Sequence, residues 1–311
     1  MSSEKSCYLI LHLIVPDEED AKNYRRHLST LKDAGKKMKI NIWPIAFKNS
    51  HIRRYTFRFL RYRRDDSTAL KIAESFISAF SLVHGPAIEP NPDGIVFRYP
   101  NHLIDHEGTI SFDDLLELEK SRPRQQRTCA YPGSSLGSGL STVLSDFEQA
   151  WRITPVIFEN EHIFQASRFF RASRDLFYVH NGALNEVLKS PELTAKSGFE
   201  QIRFENALQN AYKSIEALLG DLPKNNIRFF SKLREIGLNP YEEVGYDTTN
   251  HLHIVIREMN KARDKKAAHG STKDRTIFVK ELMNYQECAA FVLCEAIGSI
   301  LGTDFLGNPM D

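Results

Sequence analysis

The apolar positions follow two different patterns along the chain. In the first 100 residues, short apolar runs at 7–15, 39–47, 53–63 and 94–99 predict strands. Apolar residues at three- and four-residue steps predict helices at 17–35 and 67–84. This β-α-β-β-α-β order is that of a ferredoxin-like split βαβ sandwich, although several topologies share it. We therefore predict an α+β domain over residues 1–120, with the ferredoxin-like topology as its candidate arrangement.

Strand patterns nearly vanish after residue 145. Predicted helices cover 146–153, 155–178, 182–188, 198–219, 225–236, 251–262 and 273–301. Ser271 and Asp274 form a capping signal for the last of them. The stretch 121–145 is rich in Arg, Pro, Gly and Ser, which is typical of a linker between domains. The pattern thus predicts an all-α domain over residues 146–311, joined by that linker to the α+β domain.

Composition narrows the class of protein. The chain has 311 residues, 41% hydrophobic and 26% charged, as soluble globular proteins have. Its formal net charge of +1 argues against a protein that coats nucleic acid indiscriminately. The small net charge is a cancellation, because residues 53–64 and 257–280 are basic while 17–20 and 105–120 are acidic. A focused phosphate-binding site therefore remains compatible with this composition.

The cysteines and the apolar runs indicate in which cellular compartment the protein is expected. Cys7, Cys129, Cys288 and Cys294 form no CxxC pair, and the last two fall within a helical apolar pattern, where a thiol acts as a small hydrophobe. The longest apolar run near the start, at 8–15, is too short to span a bilayer. With no signal peptide recognised, we expect a cytoplasmic protein that does not contact membranes.

The segment between the last two predicted helices contains the candidate chemistry. It contains Arg263, Asp264 and His269, with five residues between Arg263 and His269, and Gly270 follows the histidine. Residues 257–280 carry eight Lys or Arg against three acids. A histidine with a pKa near neutral can accept or donate a proton, and an arginine can hold phosphate oxygens through two parallel hydrogen bonds. The pair therefore suits phosphodiester cleavage of RNA.

The neighbouring residues extend this hypothesis. Lys265 and Lys266 are candidates to hold adjacent phosphates, and Asp264 to orient one of the two main groups. An alternative interpretation is a polar turn with a solvent-exposed Arg263 and a helix-capping His269. We favour the functional pair because small residues precede His269 and positive charge accumulates around it. This chemistry requires no metal and no cofactor, and we expect neither.

A second pair with similar spacing is Arg174 and His180. Since roughly two such pairs are expected by chance in this composition, spacing alone carries little weight. The residues between Arg174 and His180 are bulky and apolar, and they continue an amphipathic helix. We therefore predict that Arg174 and His180 are helix-surface residues.

The helical region resembles a known family. Residues 205–221 (ENALQNAYKSIEALLGD), the segment 263–270 (RDKKAAHG) and the long apolar helix that follows are similar to a HEPN domain, especially of the Apea-like type. The signature of that family is Arg, a polar residue, and His after four to six intervening residues. Arg263, Asp264 and His269 fit it, and Gly270 is also typical. The resemblance covers about residues 155–302.

The resemblance implies a specific function. Active HEPN proteins are metal-independent endoribonucleases, often toxins or effectors of antiviral defence, and their sites form where two HEPN units pair. For this chain it implies a homodimer through the helical domain, catalytic residues Arg263, Asp264 and His269, RNA as substrate, and an antitoxin or defence partner. Other members of the family are inactive and serve as RNA-binding, nucleotide-binding or scaffolding modules, which is the alternative function.

Two further features have open interpretations. The predicted strand at 53–63 interleaves arginines with aromatic residues, as some RNA-binding sheets do. We favour aromatic residues in a core with solvated arginines, and keep RNA contacts by Arg58 and Arg61 as a hypothesis. His251 and His253 have the spacing of strand-borne metal ligands, but in a helix they would point about 200° apart. We therefore expect no metal site at these histidines.

Overall fold

The structure is a computed structural model. It describes residues 7–14, 37, 40–46, 52–59, 66–83, 96–98, 140–179, 181–190, 192–246, 250–264 and 276–303. The chain separates into two compact units, Met1–Phe158 and Glu159–Asp311. The predicted helix at 17–35, the predicted linker up to residue 139, and the capping pair Ser271 and Asp274 lie outside the described residues.

A four-stranded sheet forms the described β structure of the first unit. Its strands are β1 (Cys7–Ile14), β2 (Ile40–Ala46), β3 (Ile52–Phe59) and β4 (Val96–Arg98). The order across the sheet is β2-β3-β1-β4, with every neighbouring pair antiparallel. Because β3 lies between β1 and β2 and is antiparallel to both, β1 and β2 run parallel. All four strands overlap predicted ones. Strands β1, β2 and β4 are shorter than predicted by one or two residues at an end, whereas β3 begins one residue earlier and ends four residues earlier.

Two helices complete the described part of this unit, α1 (Asp66–Val83) and α2 (Leu140–Glu159). The rings of Phe76 in α1 and Trp151 in α2 stack with centroids 4.3 Å apart. The prediction that a helix ends before Pro155 is wrong, because α2 continues through this residue. A proline inside a helix costs about 3 kcal/mol. Burial of Trp151, Ile153 and Ile157 around it offsets that cost.

The second unit is a helical bundle. Its helices are α3 (Glu161–Leu176), α4 (Asn181–Lys189), α5 (Gly198–Leu219), α6 (Asn226–Glu235), α7 (Leu252–Ala262) and α8 (Val279–Leu301). Helices α3, α5 and α8 pack against one another around buried apolar residues. The prediction of a helical C-terminal region is confirmed. It omitted one small hairpin, formed by β5 (Glu243–Val244) and β6 (Asn250–His251).

Helix ends in this unit have local causes. Helix α5 begins where the Ser197 side chain accepts from the backbone N–H of Glu200, and it ends at Gly220, whose φ is 65°. Helix α8 begins at Val279, not at residue 273 as predicted. Just before it, Phe278 forms a bridge with Thr194, and the N–H of Val279 donates to the Leu193 carbonyl. That extended pairing prevents residues 276–278 from being helical.

The two cysteines of α8 behave as predicted. Cys288 is fully buried. Burial raises the pKa of both the Cys288 and Cys294 thiols, which keeps them protonated at neutral pH. They therefore contribute to the apolar core of the bundle as small hydrophobic side chains.

Candidate functional site

Arg263 immediately follows the last residue of α7. The apolar side chains of Ile256, Met259 and Ala262 anchor this helix in the core. Its C-terminal carbonyl groups carry partial negative charge, so a cation is stabilised at this end. The fold thus fixes the backbone beneath the guanidinium while the side chain stays 28% exposed.

The guanidinium of Arg263 is held by residues of its own segment. Nε and Nη2 lie 3.0 and 2.7 Å from Oδ1 of Asp264, and Nη2 donates to Oδ1 of Asn260 at 3.0 Å. Charged hydrogen bonds of this kind are short and directional. Asp264 and Asn260 therefore orient the guanidinium. The contact between Asp264 and Arg263 is consistent with the predicted orienting role of Asp264.

Helix α5 supplies the opposite side of the site. The guanidinium carbon of Arg263 lies 4.2 Å from the ring centroid of Tyr212, and Nη1 lies 3.9 Å from Oε1 of Glu216. The first distance is a close cation–π contact, and the second is an ion pair longer than a hydrogen bond. Burial raises the pKa of Tyr212 to about 12, although the Arg263 cation acts to lower it. The ring is therefore a neutral platform for the cation at neutral pH.

This arrangement can bind and orient a phosphate. An arginine presents its N–H donors in a planar fork that matches two phosphate oxygens. Tyr212 contacts the face of the Arg263 guanidinium, whereas the N–H groups of the guanidinium donate hydrogen bonds within the guanidinium plane. The contact with the ring therefore leaves these donors accessible in direction. The long Nη1–Glu216 ion pair is the contact that a phosphate oxygen would most easily replace.

The other residues predicted for this site are described only in part. Lys265, Lys266 and His269 lie outside the described residues, as does Arg61. Arg58 lies in β3, opposite Tyr8 of β1 and Asn41 of β2 in the strand register. The structure therefore brings Arg263 and Asp264 together, and the pairing of Arg263 with His269 stays a prediction.

Sequence reasoning missed three residues of the site: Tyr212, Glu216 and Asn260. A signal for them was present, because Tyr212 and Glu216 are four residues apart and so share one face of a predicted helix. Asn260 precedes Arg263 by three residues, again on the same face. Nothing in the spacing indicated that the two faces meet, since that depends on how α5 and α7 pack.

The second Arg/His pair differs from its prediction. Arg174 is half-buried and not fully solvated, and this partial desolvation lowers the pKa of its guanidinium. Its guanidinium carbon lies 5.2 Å from the ring centroid of Phe170 and 4.8 Å from that of Tyr178. The prediction failed because α8 and the loop after β5, both distant in sequence, cover this side of α3. His180 lies outside the described residues.

His251 and His253 also have an unexpected geometry. Their rings lie nearly parallel, at 14°, with centroids 5.9 Å apart. Nδ1 of His251 lies 2.8 Å from the Tyr241 carbonyl oxygen, and Nδ1 of His253 lies 2.8 Å from that of Pro240. The predicted 200° separation is wrong because His251 precedes α7 in an extended conformation.

Three broader observations bear on the class of site. Within the part of the chain that the structure describes, no three His, Cys, Asp or Glu side chains are grouped as a metal site requires. No helix in the described ranges combines the length and apolar character needed to cross a bilayer. Comparison of the chain with protein-family models, curated proteins and solved structures gave no match.

Proposed function

We propose that this protein is a metal-independent endoribonuclease of the HEPN type that acts in the cytoplasm as a toxin or antiviral-defence effector. Cleavage begins when the 2′-oxygen of a ribose attacks the adjacent phosphorus and loses its proton to a general base. The bond from phosphorus to the 5′-oxygen then breaks as that oxygen receives a proton. The products are a 2′,3′-cyclic phosphate and a free 5′-hydroxyl.

The observation that supports this proposal is the way in which neighbouring side chains position the guanidinium of Arg263. Its guanidinium is oriented by Asp264 and Asn260, stacked on the buried Tyr212, and still partly exposed. A positioned cation of this kind stabilises the additional negative charge on a phosphate in the transition state. In the proposed mechanism His269 transfers the protons, and Lys265 and Lys266 bind neighbouring phosphates.

We further propose that the enzyme is a homodimer through its helical domain. Two proton transfers are needed, one to a base and one from an acid, and one chain offers a single convincing Arg/His motif. A twofold axis near the ends of α7 would bring two copies of Arg263 and His269 to one cleft. Control by an antitoxin or defence partner would then act on this cleft.

For the first unit we propose a ferredoxin-like topology that helps to bind RNA. The strand order β2-β3-β1-β4 supports this topology, because each βαβ crossover then skips one strand. Arg58 in β3 and Arg61, three positions later in the sequence, would contact phosphates. This contribution would affect RNA affinity and leave the cleavage chemistry unchanged.

One observation favours the alternative, a HEPN-like scaffold that binds RNA, nucleotide or protein without cleavage. Arg263 already pairs with two carboxylates, Asp264 and Glu216, within its own chain. A guanidinium neutralised in this way can serve stability alone. The two functions differ in what happens to bound RNA.

The test is incubation of the purified dimer with end-labelled RNA in excess EDTA. The proposal predicts cleavage that EDTA does not inhibit, with 2′,3′-cyclic phosphate and 5′-hydroxyl ends. Since a toxin can require activation, growth arrest on expression is measured in parallel. Intact RNA in the assay together with normal growth of the expressing cells would remove the nuclease proposal. RNA binding without cleavage would favour the scaffold.

A further inference from the structure

Two histidines lie where the small hairpin meets the start of α7, and we call them the histidine pair. His251 is the last residue of β6 and is exposed, whereas His253 is half-buried in the first turn of the helix. A continuous helix would have pointed the two side chains apart, but His251 precedes α7 in an extended conformation. As a result the two imidazoles are neighbours, with ring centroids 5.9 Å apart.

Both imidazoles of the histidine pair are held in the same tautomer. Nδ1 of each ring lies 2.8 Å from a backbone carbonyl oxygen, which belongs to Tyr241 for His251 and to Pro240 for His253. Since a carbonyl oxygen only accepts hydrogen bonds, Nδ1 is the nitrogen that carries the proton and donates it. In the neutral ring Nε2 then carries the lone pair. Histidines that bind metals have this arrangement, because a carbonyl or carboxylate oxygen accepts the proton of the other ring nitrogen.

The surroundings of the histidine pair fix its position. The backbone N–H of His253 donates to the same Pro240 carbonyl at 3.1 Å. The ring of Tyr241 meets both imidazoles edge to face, with centroids 5.6 Å from that of His251 and 5.3 Å from that of His253. Phe230 of α6 contacts the His253 ring in the same way, at 5.0 Å. The pair is therefore ordered before a ligand binds, which lowers the entropic cost of binding.

The separation of the two rings suits a single metal ion. With metal–nitrogen bonds of about 2.1 Å and ring nitrogens about 1.2 Å from the centroid, two imidazoles on one ion have centroids at most about 6.6 Å apart. A tetrahedral angle at the ion would place the centroids roughly 5.4 Å apart. The observed 5.9 Å lies between these values. The remaining adjustment falls on His251, whose side chain is exposed.

The charge of the surrounding segment favours a cation. Residues 239–254 contain three acids, Glu242, Glu243 and Asp247, and neither Lys nor Arg. Glu243 lies directly opposite His251 in the strand register of the hairpin. The N-terminal end of α7 carries partial positive charge, which disfavours a cation there. The nearby carboxylates offset this effect.

From these observations we propose that His251 and His253 bind one divalent transition-metal ion through their Nε2 atoms. Imidazole suits Zn²⁺, Ni²⁺ and Cu²⁺, whereas Mg²⁺ and Ca²⁺ prefer oxygen ligands. Among the residues that the structure describes, no third His, Cys, Asp or Glu joins the pair. Water or an external group therefore completes the coordination of the ion, as at zinc sites with an open position.

The metal site is independent of the proposed cleavage chemistry. The histidine pair lies at the N-terminal end of α7, and Arg263 lies at its C-terminal end. An 11-residue helix is about 16 Å long, so an ion on the pair cannot reach a phosphate held by Arg263. Cleavage that persists in EDTA is thus compatible with a metal ion at this second site.

The test is calorimetric titration of the untagged full-length protein with Zn²⁺, Cu²⁺ and Mg²⁺. We expect Cu²⁺ to bind more tightly than Zn²⁺, as the usual order of divalent affinities requires, and Mg²⁺ not to bind the pair. Electron paramagnetic resonance of the Cu²⁺ complex should show coupling to two imidazole nitrogens. Failure of both Zn²⁺ and Cu²⁺ to bind would overturn the proposal.

Conservative variants separate metal binding from structure. His251→Asn and His253→Asn each keep a side-chain N–H that can donate to the carbonyl which Nδ1 contacts, and each removes Nε2. Each should weaken Zn²⁺ binding by at least about tenfold, because one of two protein ligands is lost. His162→Asn, at an exposed histidine of α3, is the matched control and should bind Zn²⁺ like wild type. Circular dichroism checks that each variant folds, and unchanged Zn²⁺ affinity in folded His251→Asn and His253→Asn would contradict the proposal.

A thermal measurement provides a second readout and separates the two proposals. Zn²⁺ should raise the melting temperature of wild type more than that of His251→Asn, because the ion binds the folded arrangement of the pair. An equal rise in both proteins would place the ion elsewhere and overturn the site. Zn²⁺ binding by a protein that cuts no RNA would leave the metal site intact and remove the nuclease. RNA cleavage by a protein that binds no Zn²⁺ or Cu²⁺ would have the opposite meaning.

Discussion

The guanidinium carbon of Arg263 lies 4.2 Å from the ring centroid of Tyr212, so a cation at the end of α7 rests on an aromatic ring of α5. Tyr212 is 2% exposed, whereas the Arg263 side chain is 28% exposed. The ring is thus part of the core and the cation reaches the surface. This contact connects the stability of the bundle to the orientation of the proposed phosphate-binding group.

The first prediction separates the Tyr212 ring from its hydroxyl. Tyr212→Phe keeps the stacking surface and should change the free energy of unfolding by less than about 1 kcal/mol. Tyr212→Leu removes the cation–π contact and leaves space in the core, which should cost about 2 kcal/mol or more. Urea unfolding measures both. Equal destabilisation by the two variants would show that the ring does not support Arg263.

The second prediction concerns Asp264, which we treat as a positioning residue. Asp264→Asn keeps an acceptor oxygen for Nε of Arg263 but removes a negative charge. RNA affinity should therefore rise severalfold while the cleavage rate at saturating RNA stays within about twofold. Asp264→Leu removes the acceptor and should lower that rate. If Asn and Leu reduce the saturating rate equally, the side chain does not act by orienting Arg263.

The third prediction concerns Gln286 of α8, whose side-chain amide donates hydrogen bonds to Ser173 of α3 and to the carbonyl of Phe177. Gln286→Leu removes the donor to the Ser173 hydroxyl oxygen and to the Phe177 carbonyl, which should reduce stability by about 1–3 kcal/mol, whereas the Ser173 carbonyl keeps the backbone N–H of Phe177. Gln165→Leu is the matched control, because Gln165 pairs with Glu161 at the surface, and should cost less than about 0.5 kcal/mol. Thermal and urea unfolding give both values. Similar costs at the two positions would refute a special role for Gln286.

The fourth prediction is a pH dependence. The pKa values of Tyr212 and Tyr246 are raised to about 12, from an ordinary value near 10, so the folded state holds these phenolic protons more tightly than the unfolded state. The stabilisation is complete below pH 10 and is lost as the pH rises towards 12. Tyr212→Phe should therefore lose less stability than wild type between pH 9 and 11.5. Parallel loss in both proteins would contradict the assignment.

Much of the fold follows from local pattern, and the exceptions have specific causes. Helix α5 coincides with the predicted range because Ser197 and Gly220, its two caps, are local signals. The start of α8 was misplaced because its control is non-local, through the pairing of Phe278 with Thr194. The break predicted at Pro155 failed because burial in the core outweighs the loss of one backbone hydrogen bond.

In the candidate site, too, residues with a local sequence signal were predicted, whereas residues brought together by helix packing were not. Arg263 and Asp264 were predicted from a short motif, since their chemistry and their place at a helix end are visible locally. Tyr212 and Glu216 were not, because their approach to Arg263 depends on how two helices pack. Arg174 was placed at the surface because the residues that cover it, Tyr246 and Glu287, are more than 70 positions away in sequence.

The central claim is tested most directly by the rate of RNA cleavage in EDTA for wild type, Arg263→Ala, His269→Ala and the control Arg234→Ala, an exposed arginine of α6. The account predicts that the first two variants, shown to be folded dimers, cut at least about 100-fold more slowly, the usual loss when a transition-state donor or a general acid–base is removed. Arg234→Ala should cut like wild type. Cleavage by Arg263→Ala and His269→Ala at the wild-type rate would contradict the account.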